Sequence, residues 1–126
     1  MDANGNKIFA VDFDGTLSFG KWPETGKPNR DLFDYLIQQN TEGARIILFT
    51  CRTRDRLTEA VEYCRKYGLE FDAVNENLPE LIELYGEDTR KIEADVYIDD
   101  KAVNPVAGNY SAAPNQYFIE RKGIKP

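Results

Sequence analysis

The sequence predicts an α/β domain in which a mostly parallel sheet carries helices on both of its faces. Three observations predict it. Short runs of apolar, β-forming residues alternate along the chain with longer stretches of helical periodicity. The runs are apolar throughout rather than at every second position, as strands covered on both faces must be. Their polar residues gather at the carboxyl ends, where ligands sit in open α/β sheets.

The elements follow in order. Lys7-Ile8-Phe9-Ala10-Val11-Asp12 is the first strand, ended by a carboxylate. A stretch punctuated by Gly and Pro runs from Gly15 to Pro28, and Asn29 then caps a helix through Asn40, with Leu32, Phe33, Leu36 and Ile37 on one face. Gly43 closes the turn. Arg45-Ile46-Ile47-Leu48-Phe49-Thr50 repeats the first strand's pattern, and a helix from Asp55 to Tyr67 is stopped by Gly68. Phe71-Asp72-Ala73-Val74 is a weaker strand. Leu78 to Tyr85 is a short helix with Pro79 in its first turn, and Asp95-Val96-Tyr97-Ile98-Asp99 is the fourth strand. Tyr117-Phe118-Ile119 offers a further edge strand. The result is a Rossmann-like three-layer sandwich with right-handed crossovers.

The 126 residues are expected to form one domain, 1–126, with a single core. Apolar residues make up 41% and charged residues 30%, which sets the chain apart from disordered and membrane-embedded classes. No apolar run approaches a membrane span of ~20 residues, and no basic-then-apolar leader opens the chain. Two cysteines, Cys51 and Cys64, are too few for a disulfide framework, so a reducing cytoplasm fits best. A formal charge of −6 argues against a general nucleic-acid or anionic-membrane surface. With no histidine present, imidazole-based triads and the usual zinc sites are excluded. Any chemistry rests on carboxylates, Lys and hydroxyls.

Asp12-Phe13-Asp14-Gly15-Thr16 places two carboxylates, one residue apart, where an apolar strand breaks into a loop. At residue usages of ~5–7%, such a D-x-D-G-T string arises by chance in roughly one chain in a thousand of this length. An Asp-Gly turn accounts for it blandly. The bland reading weakens beside Thr50, Cys51 and Arg52 after the second strand, Lys91 before the fourth, and Asp99-Asp100 at its end.

Together these residues resemble the haloacid dehalogenase (HAD) superfamily, from Lys7 to about Asn104, with its four motifs in order. The stretch through Lys101-Ala102-Val103-Asn104 is similar to small capless members from bacteria and phages. The resemblance implies that Asp12 is the nucleophile, Asp14 the general acid/base, Thr50 the second motif, Lys91 the third, and Asp99-Asp100 the fourth. It implies a phosphate-binding set of Gly15, Thr16, Thr50, Cys51, Arg52 and Lys91. It also implies a Mg²⁺ site from Asp12, the Asp14 backbone carbonyl and a fourth-motif carboxylate, with Asp100 the direct ligand. Asp99 then binds directly, through water, or as a partner to a ligand, and the three stay open.

The chemistry accounts for these residue types. A carboxylate attacking a dianionic ester needs a divalent cation and a lysine to offset repulsion, and Mg²⁺ suits an all-oxygen site. An acid two residues past the nucleophile serves both the leaving oxygen and the attacking water. The expected activity is thus that of a Mg²⁺-dependent phosphomonoester hydrolase working through an aspartyl-phosphate on Asp12. The alternatives are a non-catalytic or regulatory protein that binds a phosphorylated ligand, and a phosphotransferase. The expected partner is a small phosphorylated substrate, with nucleic-acid termini disfavoured by charge, no membrane, and a homo-oligomer by family analogy. Without a cap, specificity falls to the 15–28 loop, to a neighbouring subunit, or to a large substrate that covers the site itself. Phe19, Lys21 and Trp22 lie in that loop, either to meet substrate or to plug the loop onto the domain. Arg54, close after Thr50, either grips substrate or is a charge on the helix surface, and Glu76 and Asn77, after the third strand, either reach the crevice or lie in solvent. Arg90 is the immediate rival of Lys91, set by adjacency to point the other way.

Overall fold

A computed structural model describes residues 1–102. The expected edge strand at Tyr117-Phe118-Ile119, and Val103 and Asn104 of the fourth motif's surroundings, lie outside the described residues. The elements are β1 (Ile8–Val11), α1 (Arg30–Thr41), β2 (Arg45–Leu48), α2 (Arg54–Lys66), β3 (Ala73–Val74), α3 (Pro79–Tyr85) and β4 (Val96–Ile98). The strands pair in the order β3-β2-β1-β4, and every pairing is parallel.

Alternation along the strands divides the core in two. Phe9 and Val11 of β1 and Ile46 and Leu48 of β2 pack with Leu32, Phe33 and Leu36 of α1 and with Ala60 and Cys64 of α2. Ile8 and Ile47 point the other way, onto Leu78 and Leu81 at α3. Helices therefore cover both faces, and strand side chains of either orientation are buried, which is why the runs are apolar throughout. The helix boundaries have local causes. Asn29 accepts from the Leu32 N–H at 3.3 Å to cap α1, Pro79 opens α3 at a position that has no intrahelical donor to lose, and Gly68, at φ +93°, takes the chain out of α2.

The third strand is shorter than the sequence predicts because side chains take over part of its pairing. The Asp72 carboxylate accepts from the Ile46 N–H at 2.8 Å. Asp95 does the same for Ile8 at 2.8 Å, ahead of β4. Both aspartates lie at the amino end of the sheet and are occupied there in closing the ladder. Burial pushes the Asp95 carboxyl up, but the Ile8 N–H and neighbouring positive charge outweigh it and hold Asp95 below the ordinary carboxylate range.

The order β3-β2-β1-β4 also fixes where a ligand belongs. From β1 the chain winds outward through β2 to β3, then crosses back so that β4 lies on the other side of β1. The winding reverses between β1 and β4, and a crevice opens past the carboxyl ends of these two strands.

Candidate active site

Register brings the acidic residues to that crevice. Val11 pairs with Ile98, and the Asp12 N–H donates to the Ile98 carbonyl at 2.9 Å, so the next residues, Asp12 and Asp99, emerge side by side. Carboxylate oxygens of Asp12, Asp99 and Asp100 all lie within 4.8 Å of one another. Unlike Asp72 and Asp95, these carboxylates close no strand ladder among the described residues; local backbone meets them instead, with the Lys101 N–H donating to Asp99 Oδ1 at 3.0 Å. One buried oxygen, Asp100 Oδ1, has no hydrogen-bond partner among the described residues. Such an atom costs free energy until something electropositive meets it. Burial first, and then the charge of Asp99, pushes the Asp12 carboxyl up to about 7. Asp100 is raised too, by burial and by its contact with Asp99. These three carboxylates could hold a divalent cation, and the all-oxygen donor set suits a hard one.

A cavity of about 880 Å³ opens over this cluster. Asp12, Asp14, Thr50, Cys51, Lys91, Asp99 and Asp100 line it, together with Trp22, Phe49, Asn75, Arg90, Ile92, Tyr97 and Lys101. Thr50 is held by its backbone N–H on Asn75 Oδ1 at 2.8 Å, and its hydroxyl oxygen accepts from the Arg52 N–H at 3.1 Å. Its own hydroxyl proton remains to be donated. Lys91 is exposed, with Nζ 5.4 Å from the centre of the Tyr97 ring.

Three residues expected to hold phosphate, Gly15, Thr16 and Arg52, are not among those that line the cavity. Thr16 is buried; its hydroxyl accepts from the Asp100 N–H at 3.1 Å and lies 3.5 Å from Asp12 Oδ2, tying the loop after β1 to the end of β4. Gly15 has φ +80°, and a Cβ there would collide with Asp100 Oδ2. Arg52 is 0% exposed and faces Asp14, with Nε donating to Oδ2 at 2.9 Å and Nη2 to Oδ1 at 2.8 Å. The bidentate geometry uses the guanidinium fork on the carboxylate and leaves it turned away from the cavity. Helical exposure takes Arg54 to the surface at the start of α2, outside the cavity wall.

Gly15→Ala is expected to lower stability by about 2 kcal/mol or more, from the left-handed backbone and the displaced Asp100 together. It should weaken divalent-cation affinity at least about tenfold. Denaturant midpoints and cation titration read the two effects, and a variant with unchanged cation affinity would contradict the packing of Gly15 on Asp100.

Other residues were missed or misplaced by sequence reasoning. Asn75, rather than Glu76 or Asn77, lines the cavity; its left-handed φ of +55° directly after β3 turns its amide toward Thr50. An Asn ending an apolar run, a residue type that tolerates the left-handed backbone, was the overlooked signal for it. Asn77 is buried and donates from Nδ2 to Asp88 Oδ1 at 2.7 Å and to the Thr89 carbonyl at 3.1 Å. Its Oδ1 accepts from the Glu93 N–H at 2.7 Å, so one side chain pins the irregular segment that presents Arg90 and Lys91. Both of these cations reach the cavity, although adjacency alone set them on opposite sides. Lys101, whose Nζ is 3.8 Å from Asp100 Oδ2, joins them. Burial pushes the Cys64 thiol up to about 12, out of reactive range.

No family model matches the chain. No curated protein matches it either. A solved structure does, that of a conserved protein from Bacteroides thetaiotaomicron, 36% identical in sequence, with a TM-score of 0.72. The match covers 95% of this chain and 90% of that one. Identity of that degree over nearly the whole of both chains shows that this protein belongs to the same family as the conserved Bacteroides protein.

Proposed function

We propose that this chain is a capless, HAD-type phosphomonoester hydrolase that uses Mg²⁺ and forms an aspartyl-phosphate on Asp12. The observation that carries the reading is the carboxylate cluster of Asp12, Asp99 and Asp100, with its unpartnered buried oxygen, at the point where the sheet's winding reverses. Asp12, Asp99 and Asp100 would hold the ion, which when bound offsets the negative charge of a phosphoryl group. Among the described residues, Asp14 is paired with Arg52, and the other three carboxylates of the cavity, Asp12, Asp99 and Asp100, crowd together where a dianionic ester would meet them. The ion would offset that local repulsion.

The chain's own residues divide the work. An Asp12 oxygen attacks phosphorus as the bond to the leaving oxygen breaks, and Asp14 gives that oxygen a proton. Water then attacks phosphorus and returns a proton to Asp14, while the Asp12–phosphorus ester breaks and inorganic phosphate leaves. The Thr50 hydroxyl donates to a non-bridging oxygen, and Lys91 and Arg90 supply fixed positive charge. Arg52 fixes the orientation of Asp14 through both carboxylate oxygens. After β1 and after β2 the chain carries one loop and one helix before the next strand, leaving the cavity uncovered by any further domain among the described residues.

Phosphate release from a panel of sugar phosphates, nucleotides and 3′- or 5′-phosphorylated oligonucleotides tests the reading. Release is expected with Mg²⁺ and not with EDTA. A panel that shows no Mg²⁺-dependent release overturns it in favour of a binding protein.

A further inference from the structure

Resting on the hydrolase reading, we propose that Trp22 is the platform for the leaving group and that the substrate's alcohol carries a flat aromatic ring, as a nucleoside monophosphate does. Trp22 is the single tryptophan of the chain, and it is 59% exposed while lining the cavity. An isolated exposed apolar side chain is ordinary. This one is not isolated, because it is seated on the residue that holds Asp14.

The Arg52 guanidinium lies 4.9 Å from the Trp22 ring centre and, equally, 4.9 Å from that of Phe13. Its Nη2 donates both to Asp14 at 2.8 Å and to the carbonyl of Pro23, the next residue after Trp22, at 3.0 Å. One buried side chain thereby sets the indole and Asp14 relative to each other. The loop that carries Trp22 is closed beneath it: the Phe19 N–H donates to the Lys27 carbonyl at 2.9 Å and the Tyr63 hydroxyl to the Gly26 carbonyl at 2.6 Å. The indole is thus held in place before any ligand arrives, and little ordering remains to be paid on binding.

Position identifies what it meets. Asp14 serves the oxygen that departs, so the group on the Asp14 side of the scissile bond is the alcohol, and Trp22 stands on that side. The indole offers an exposed π-face, and the cation it rests on, Arg52, is engaged with Asp14 and Pro23. A bare sugar would find few hydrogen-bond partners there, whereas a nucleobase gains from stacking alone, with no edge to be read. The chain's net charge of −6 favours a mononucleotide over a polynucleotide.

Because Trp22 is the single tryptophan, its fluorescence reports this site directly. In the Asp12→Asn variant with Mg²⁺, which binds without turnover, adenosine 5′-monophosphate is expected to quench the emission saturably. Ribose 5-phosphate, which carries a hydroxyl in place of the base, is expected to bind roughly tenfold more weakly. By calorimetry, adding Trp22→Ala should bring the two affinities to within about twofold, while Trp22→Phe should retain most of the preference. Equal affinities with Trp22 present, a preference that survives Trp22→Ala, or no saturable binding of either ligand overturns the platform. Wild-type turnover separates the two readings. Base preference without hydrolysis keeps the platform and removes the phosphatase, and hydrolysis without base preference does the reverse.

Discussion

Replacing Asp12 with asparagine is expected to end phosphate release and, in the metal-free protein, to raise the melting temperature. The first effect is loss of the nucleophile, a fall on the order of 10³-fold or more in kcat. The second follows from the cluster. Burial and Asp99 push the Asp12 carboxyl from 3.8 up to about 7, so the folded chain keeps a proton that the unfolded chain gives up. The stability that this proton confers is fully present below about 3.8 and is lost as the pH rises through about 7. Asparagine cannot ionise and escapes the loss. The expected gain is about 1–2 kcal/mol, or roughly 4–8 °C in Tm at this chain length, above neutrality and in EDTA. It should vanish near pH 4 and shrink with Mg²⁺, which would satisfy the same carboxylates in the wild type. Calorimetry of both proteins under these conditions decides it. Coincident melting above neutrality in EDTA would mean that the three carboxylates are not in conflict.

The fold was legible because its strands are buried on both faces. Ile8 to Val11 and Arg45 to Leu48 read as apolar runs, and they pair in parallel as such runs must. Helix ends were legible wherever a single residue sets them, as Asn29, Pro79 and Gly68 do. Strand β3 was harder. Its pairing is partly a side-chain matter, with Asp72 accepting from Ile46, and no periodicity reports a carboxylate doing a carbonyl's work.

The site was legible to the extent that backbone register controls it. Asp12 and Asp99 are brought together by the pairing of Val11 with Ile98, so finding acidic residues at two strand ends was enough. What was not legible depends on the directions of long side chains and on loop closure. Arg52 follows Thr50 closely in sequence, yet its side chain turns inward to Asp14, 38 residues away. Asn77 lies at a strand's exit but is spent on the segment around Thr89, and Asn75 takes the place beside Thr50 because its backbone is left-handed. Proximity in sequence to the Thr50 hydroxyl is therefore a weak guide to which cation faces the cavity.

Arg52→Ala is expected to destabilise the protein by about 3 kcal/mol and to lower kcat steeply, through one lost side chain with two separable duties. The guanidinium is fully buried, whereas the Asp14 carboxylate is 34% exposed. Solvent can reclaim part of Asp14 once the pair is broken, which sets the cost at the low end of the ~3–5 kcal/mol for breaking a buried pair. The space left between Phe13 and Trp22 adds to it. Arg52→Met separates the duties, because it refills much of that space without charge: stability should recover by about half, and kcat should not. Arg52→Lys keeps the charge but not the fork, and it is expected to lower kcat by roughly ten- to a hundredfold with KM changed far less. The Mg²⁺-induced shift in Tm should persist in all three variants, since Arg52 makes no contact with Asp12, Asp99 or Asp100 among the contacts of the described residues. A purely structural role predicts a different pattern, in which kcat tracks stability across Ala, Met and Lys. Full kcat in Arg52→Lys would show that Asp14 needs a nearby positive charge and not a particular orientation.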